Sequence, residues 1–94
     1  MVTLFAKHAV NDYSTWKRGY DGLGPTRQAM GVSSATVHRD PNDANMITIT
    51  HEFKDFNAAV AFANSAELQS AMLNAGVVGQ PEIWFAEDVE HTPF

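Results

Sequence analysis

Apolar and polar side chains alternate over the first ten residues. Val2–Val10 places Val2, Leu4, Ala6, His8 and Val10 on one face, and the other face is also partly apolar, which predicts a strand buried on both sides. Asp12 then offers an N-cap, and Tyr13, Trp16 and Tyr20 follow at helical spacing. The sequence therefore predicts a strand followed by a helix with an aromatic stripe.

The middle of the chain predicts a short helix and a β-hairpin. Pro25–Met30 follows a glycine-containing break and begins with a residue suited to a first helical position. Val32–Arg39 is rich in Val, Thr and Ser, and Asn45–Phe53 resumes the alternation after the turn-forming run Asp40-Pro41-Asn42-Asp43. These two strands are expected to pair as a hairpin.

The last third repeats the order of helix and strand. Asp55 is a good N-cap for a helical apolar stripe, and Ser65 caps a second helical piece that ends at Gly76. Pro81–Glu90 alternates again, with Ile83, Phe85 and Val89 opposite Trp84, Ala86 and Asp88. An opening proline favours an edge strand.

The order β-α-β-β-α-β predicts one ferredoxin-like α+β domain over residues 1–94. We expect a four-stranded antiparallel sheet in the order 4-1-3-2 with its helices on one face. We further expect the first and third strands to be central neighbours that run parallel to each other.

The sheet face without helices is predicted to be apolar. Phe5, Met46 and Trp84 lie on it, beside small residues and threonines. Large apolar groups are unfavourable in water, and burying them between two chains contributes about 25 cal/mol per Å². We therefore expect a homodimer that packs face to face, although scattered surface aromatics alone would not require one.

Composition excludes several classes of function. The chain has no cysteine, so thiolate chemistry and cysteine-ligated metals are excluded. A net charge of -5, with Lys54 the only basic residue after residue 46, opposes binding to nucleic acid. The first residues lack the pattern of a signal peptide or membrane span, and we expect a cytoplasmic protein that contacts neither membrane nor nucleic acid.

The four histidines are the candidate metal ligands of a chain without cysteine, and they fall at different places on the predicted sheet. A parallel central pair would bring His8 and His51 side by side on the helix-covered face. His38 falls near the hairpin turn, about 13 Å from His51 along the strand, and His91 lies in the tail. Glu87 could add a carboxylate, but two histidines without a nearby third ligand do not indicate a metal site.

A pocket under the helices is the preferred interpretation of His8 and His51, which are the candidate catalytic residues. Its candidate ligand-binding walls are Tyr13, Trp16, Tyr20, Arg27, Phe62, Met72 and Phe85. An imidazole titrates near neutral pH and could remove a proton or orient a hydroxyl. The simpler alternatives are histidines satisfied within the core, an aromatic stripe that only packs, and Arg27 paired with a carboxylate such as Asp21.

Several segments resemble the dimeric α/β-barrel superfamily. They are Asp12-Tyr13-Ser14-Thr15-Trp16 at the first helix, the later Arg27 and Gly31, and Asp40-Pro41-Asn42 in the hairpin. Nearly the whole chain resembles small proteins grouped with the antibiotic biosynthesis monooxygenases, whose two sheets form a shared barrel. The resemblance implies the fold. The superfamily includes cofactor-free oxygenases, polyketide cyclases, haem-degrading enzymes and proteins without known activity, so the resemblance leaves the reaction open.

Two functions follow as hypotheses. The first is a homodimer that binds an aromatic or polyketide-like compound and performs cofactor-independent oxygenation or cyclisation, with no cofactor and no metal. The second is a non-catalytic protein that binds a hydrophobic metabolite in the same pocket. A third possibility, a purely structural dimer, requires that side chains fill the space between sheet and helices.

Overall fold

The computed structural model describes residues 1–94. Strands and helices alternate in the predicted order, with a break in each helical segment. The elements are β1 (Val2–Val10), α1 (Tyr13–Gly22), α2 (Gly24–Ala29), β2 (Val32–Asp40), β3 (Asp43–Phe53), α3 (Phe56–Ala63), α4 (Ala66–Asn74) and β4 (Val77–Glu87).

The four strands form one sheet in the order β2-β3-β1-β4, and each neighbouring pair runs antiparallel. This order confirms the predicted ferredoxin-like fold. The expectation of a parallel central pair is wrong, because the tight β2–β3 hairpin reverses the chain before β3 reaches β1. His51 therefore pairs with Leu4, whereas His8 pairs with Ile47.

Side-chain caps fix where the helices begin. The carboxylate of Asp12 accepts a hydrogen bond from the Thr15 amide at 2.9 Å, and Asp55 and Ser65 begin α3 and α4 in the same way. Gly31 follows α2 with φ 97°, a conformation that glycine adopts without strain. No helix is both long and apolar enough to cross a membrane.

The core lies between the sheet and the helices, in two clusters. One gathers around Leu4, Phe53 and Phe62, and the other around Trp16, Ile47 and Ile49. Only 13 of the 94 residues are buried, so this chain alone encloses a thin core. The region between the clusters is where the candidate site lies.

Strand β4 departs from the prediction at both ends. It starts at Val77, four residues before Pro81, because a bulge accommodates Gly79 (φ 74°) and Pro81 within the edge strand. It ends at Glu87 rather than Glu90, so Val89 lies outside the strand and is 91% exposed.

The open face of the sheet carries the expected apolar side chains. The Phe5 and Trp84 rings stack with centroids 5.3 Å apart and planes within 3° of parallel. Trp84 remains 43% exposed. His38 pairs with Thr48 and shares this face, away from the helices.

Candidate functional site

A partly open cavity of about 630 Å³ separates the sheet from the helices. Residues of α1, α2 and α4 form its walls, and the central strands form the floor. More than half of its 23 lining residues are hydrophobic. Its volume falls within the range typical of small-molecule sites.

His8 and His51 both lie on the floor of this cavity, but they are not neighbours. Because β1 and β3 are antiparallel, the two residues are four positions apart in register, about 13 Å along the strands. The expectation that they would lie side by side is wrong. The Ala6–Ile49 pair lies between them, and the small alanine leaves room above the floor.

The first helix connects the two histidines through aromatic rings. The Trp16 ring lies 5.7 Å from the His8 ring and 5.0 Å from the Tyr20 ring, between centroids. The Tyr20 ring is in turn 6.3 Å from His51, which lies 5.3 Å from Phe62. The cavity therefore has an aromatic wall with an imidazole toward each end.

Three imidazole nitrogens in this cavity have no hydrogen-bond partner within the protein. They are Nδ1 of His8 and both ring nitrogens of His51, and both residues are buried. Buried polar atoms in folded proteins normally have a partner, so these three require one from outside the chain. A water or a bound ligand with polar groups can provide it.

Burial also sets the charge of the two imidazoles. Removal from water lowers the pKa of His51 to about 4, and the nearby Arg27 guanidinium contributes to the same shift. Burial lowers the pKa of His8 as well. His51 is therefore neutral at pH 7, with one ring nitrogen able to donate a hydrogen bond and the other able to accept one.

Five of the seven predicted wall residues line the cavity and two do not. Those that do are Trp16, Tyr20, Arg27, Phe62 and Met72. The structure places Tyr13 outside the cavity, where its ring lies 4.4 Å from the Arg39 guanidinium. It places Phe85 outside the cavity as well, packed edge-on against Phe56 at 5.4 Å.

The remaining histidines and the candidate carboxylate lie elsewhere. His38 is on the open face, and His91 is exposed in the tail. Glu87 pairs with Val2, six residues from His8 along β1. No three His, Asp or Glu side chains form a group able to hold a metal ion.

Sequence reasoning missed several polar residues of the cavity wall. Thr15 and Thr26 line it from the first two helices, and Ser70 and Asn74 line it from α4. The Ser70–Asn74 spacing places both on one helical face, which is the only sequence signal for them. On a helix with no buried residue, that face is indistinguishable from an ordinary solvated one.

Comparison with known proteins identifies the fold. No protein-family model and no curated protein matches the sequence. Solved structures do match. An antibiotic biosynthesis monooxygenase-like protein from Bordetella bronchiseptica has a TM-score of 0.80 at 16% identity, covering 95% of this chain and 97% of its own.

Two further structures give the same result. SnoaB, a cofactor-independent oxygenase from Streptomyces nogalater, has a TM-score of 0.80 at 12% identity, covering 98% of this chain and 96% of its own. An antibiotic biosynthesis monooxygenase-like protein from Caulobacter crescentus has a TM-score of 0.76 at 14% identity, covering 95% and 90%. The resemblance drawn from the sequence is confirmed: the chain has the ferredoxin-like fold of the structures described as antibiotic biosynthesis monooxygenases.

Proposed function

We propose that the protein binds a planar aromatic or polyketide-like compound and transforms it by proton transfer, without a cofactor. The observation that carries this proposal is a single cavity with an aromatic wall and two buried imidazoles whose nitrogens lack protein partners. Aromatic rings at 5 to 6 Å spacing suit a flat ligand, and imidazole suits an acidic proton. The description of SnoaB as a cofactor-independent oxygenase supports the same class of chemistry.

His8 is the proposed general base. Its Nδ1 has no partner in the protein, and the β4 bulge leaves His8 without a paired residue on that strand. Neutral His8 would take a proton from an acidic C–H or phenolic O–H of the ligand, leaving an enolate or phenolate and an imidazolium. His51, held neutral by burial, would orient the ligand at the other end of the cavity.

Two reactions can follow from the same anion. In an oxygenation, the anion adds dioxygen and takes the proton back from His8 to give a hydroperoxide. Loss of water then converts the original CH₂ into a carbonyl. In a cyclisation, the anion attacks a carbonyl of the same molecule, and the new alkoxide takes the proton back from the imidazolium.

The assembly proposed for this function is a homodimer with one cavity in each chain. The stacked Phe5 and Trp84 rings form an apolar surface on the open face of the sheet, and Met46 lies on the same face four register positions away. A second copy packed on this face would bury these groups at about 25 cal/mol per Å². The cavity lies on the opposite side of the sheet, so dimerisation leaves it accessible.

Replacing His8 by Asn tests the catalytic proposal, with His91→Asn as the matched control in the exposed tail. Wild type and both variants would be incubated with polycyclic phenols and aromatic β-dicarbonyl compounds. Oxygen uptake and product mass would be measured, and binding would be followed by calorimetry. We expect turnover to fall about 100-fold or more in His8→Asn, with ligand binding within about threefold of wild type.

The possible results separate the proposed functions. Turnover that survives unchanged in His8→Asn would exclude His8 as the base. Wild-type binding without turnover of any compound would indicate the non-catalytic binding protein instead. Absence of both binding and turnover would contradict a small-molecule function for the cavity.

A further inference from the structure

Arg27 is the only lysine or arginine that lines the cavity, and its charge has no counter-ion in the protein. Asp21, the partner suggested by sequence, instead forms an ion pair with Lys17. Glu67 also lines the cavity but makes no ion pair with Arg27.

The guanidinium is held in a fixed position. Its central carbon lies 3.6 Å from the centroid of the Tyr20 ring, and one nitrogen donates a hydrogen bond to the Tyr20 carbonyl oxygen. Stacking on an aromatic ring and a backbone carbonyl together fix the plane of the group. Only one of its five N–H donors is used in this way, so the others remain available.

His51 is the second polar group at this end of the cavity. Its side chain is nearly fully buried, and neither ring nitrogen has a partner. The Tyr20 ring connects the two groups, since it stacks on Arg27 and lies 6.3 Å from His51. Arg27 is close enough to His51 to disfavour a second positive charge there. A neutral donor and a cation at one site together suit an anionic oxygen.

We propose that the ligand is an aromatic carboxylic acid, whose carboxylate binds at the end of the cavity formed by Arg27 and His51. This inference rests on the proposed function of the cavity and specifies the class of its ligand. The planar guanidinium matches the two oxygens of a carboxylate, and His51 can donate a further hydrogen bond. The rings would lie against Trp16, toward His8.

This placement determines how the ligand is oriented in the cavity. The carboxylate end and His8 are separated by about four residue positions along the strands, or about 13 Å. A compound of two or three fused rings anchored by its carboxylate would present its far ring to His8. The acidic proton removed by His8 is therefore expected on the ring remote from the carboxylate.

The test compares 2-naphthoate with 2-naphthamide, a neutral compound of the same shape, by calorimetry at pH 7. We expect wild type to bind the naphthoate at least 10-fold more tightly. We expect Arg27→Gln to lose that preference, because a hydrogen bond to a charged group contributes about 1.5–3 kcal/mol. Arg18→Gln removes the same charge from an exposed part of α1 outside the cavity and should change neither affinity by more than about twofold.

A second measurement needs no variant and follows the wild-type protein as each compound is added. The imidazole resonances of His51 in an NMR spectrum should shift with 2-naphthoate and much less with 2-naphthamide. Equal affinity for the two compounds, or a preference that survives in Arg27→Gln, would overturn the carboxylate inference while leaving the binding function intact. Failure of wild type to bind either compound would overturn both.

Discussion

The two faces of the sheet are built from the same strands but differ in how far their side chains are buried. On the helix-covered face, Leu4, Ile47 and Phe53 are at most 1% exposed. On the open face, Phe5 and Trp84 stack on each other, and Trp84 is still 43% exposed. Strand alternation supplies apolar residues to both faces, whereas this chain has helices for only one.

The two faces lack different things: one lacks an apolar cover, and the other lacks hydrogen-bond partners for buried nitrogens. The open face lacks an apolar cover, which a second copy of the chain can supply. The covered face has its cover but encloses unpartnered nitrogens on His8 and His51, which only a polar ligand or water can satisfy. The proposed dimer would cover the open face, and the proposed ligand would pair with the imidazole nitrogens of the covered face.

The largest effect is expected on the covered face. Leu4→Ala should lower the free energy of unfolding by about 2–5 kcal/mol, because it removes a fully buried side chain from the larger cluster. Leu73→Ala makes the same chemical change at an 84% exposed position and should cost about 0.5 kcal/mol or less. Urea denaturation measures both, and similar losses would contradict the assignment of the core.

Low pH should lower the free energy of unfolding, because His51 is buried on the covered face in its neutral form. Its pKa is about 4 in the folded chain and 6.5 as the reference for the unfolded chain. Between these values only the unfolded state takes up the proton, so stability is lost as the pH falls from 6.5 to 4. The expected loss is about 3 kcal/mol, with no contribution from this group above pH 6.5.

The variant His51→Gln isolates this contribution, and His91→Gln controls for an exposed histidine. Urea denaturation at pH 7 and pH 4 should show a smaller acid-induced loss in His51→Gln than in wild type, by about 3 kcal/mol. His91→Gln should behave as wild type. An unchanged loss in His51→Gln would mean that His51 is not buried in a neutral form.

A smaller effect is expected on the open face. Trp84→Ala should weaken the proposed dimer by about 2 kcal/mol, because a large aromatic side chain at an interface centre contributes about that much. This corresponds to an increase in Kd of about 30-fold. Phe94→Ala removes a fully exposed aromatic from the tail and serves as the control. Sedimentation velocity measures both, and a monomeric wild type would contradict the dimer.

Local sequence signals predicted most of the elements and their starts. Residues Val2–Val10 form β1 as expected, and Asp12, Asp55 and Ser65 each cap a helix. These succeed because a cap or an alternating run acts within a few residues. The end of β4 was predicted wrongly, because the contact that holds Asp88 is a hydrogen bond from Thr3, 85 residues away.

The sequence predicted which residues lie at the site better than it predicted the distances between them. His8 and His51 were expected on the same face, and both are there, because side chains alternate along a strand. Their separation depends on whether β1 and β3 are parallel, which no local pattern specifies. Likewise, Tyr13 belongs to the same helical stripe as Trp16, but its packing against Arg39 follows from the hairpin register.

The sequence by itself determined the order of elements, the faces of the strands and the absence of cysteine chemistry, because each depends on neighbours in the chain or on composition. Tertiary structure decided the direction of the central strands, the distance between the two imidazoles and the unpaired charge of Arg27 at the cavity. These depend on which distant segments meet. The physical reason is that hydrophobic burial is nearly non-directional and selects a fold, whereas hydrogen bonds and charges act over a few ångströms and depend on the final register.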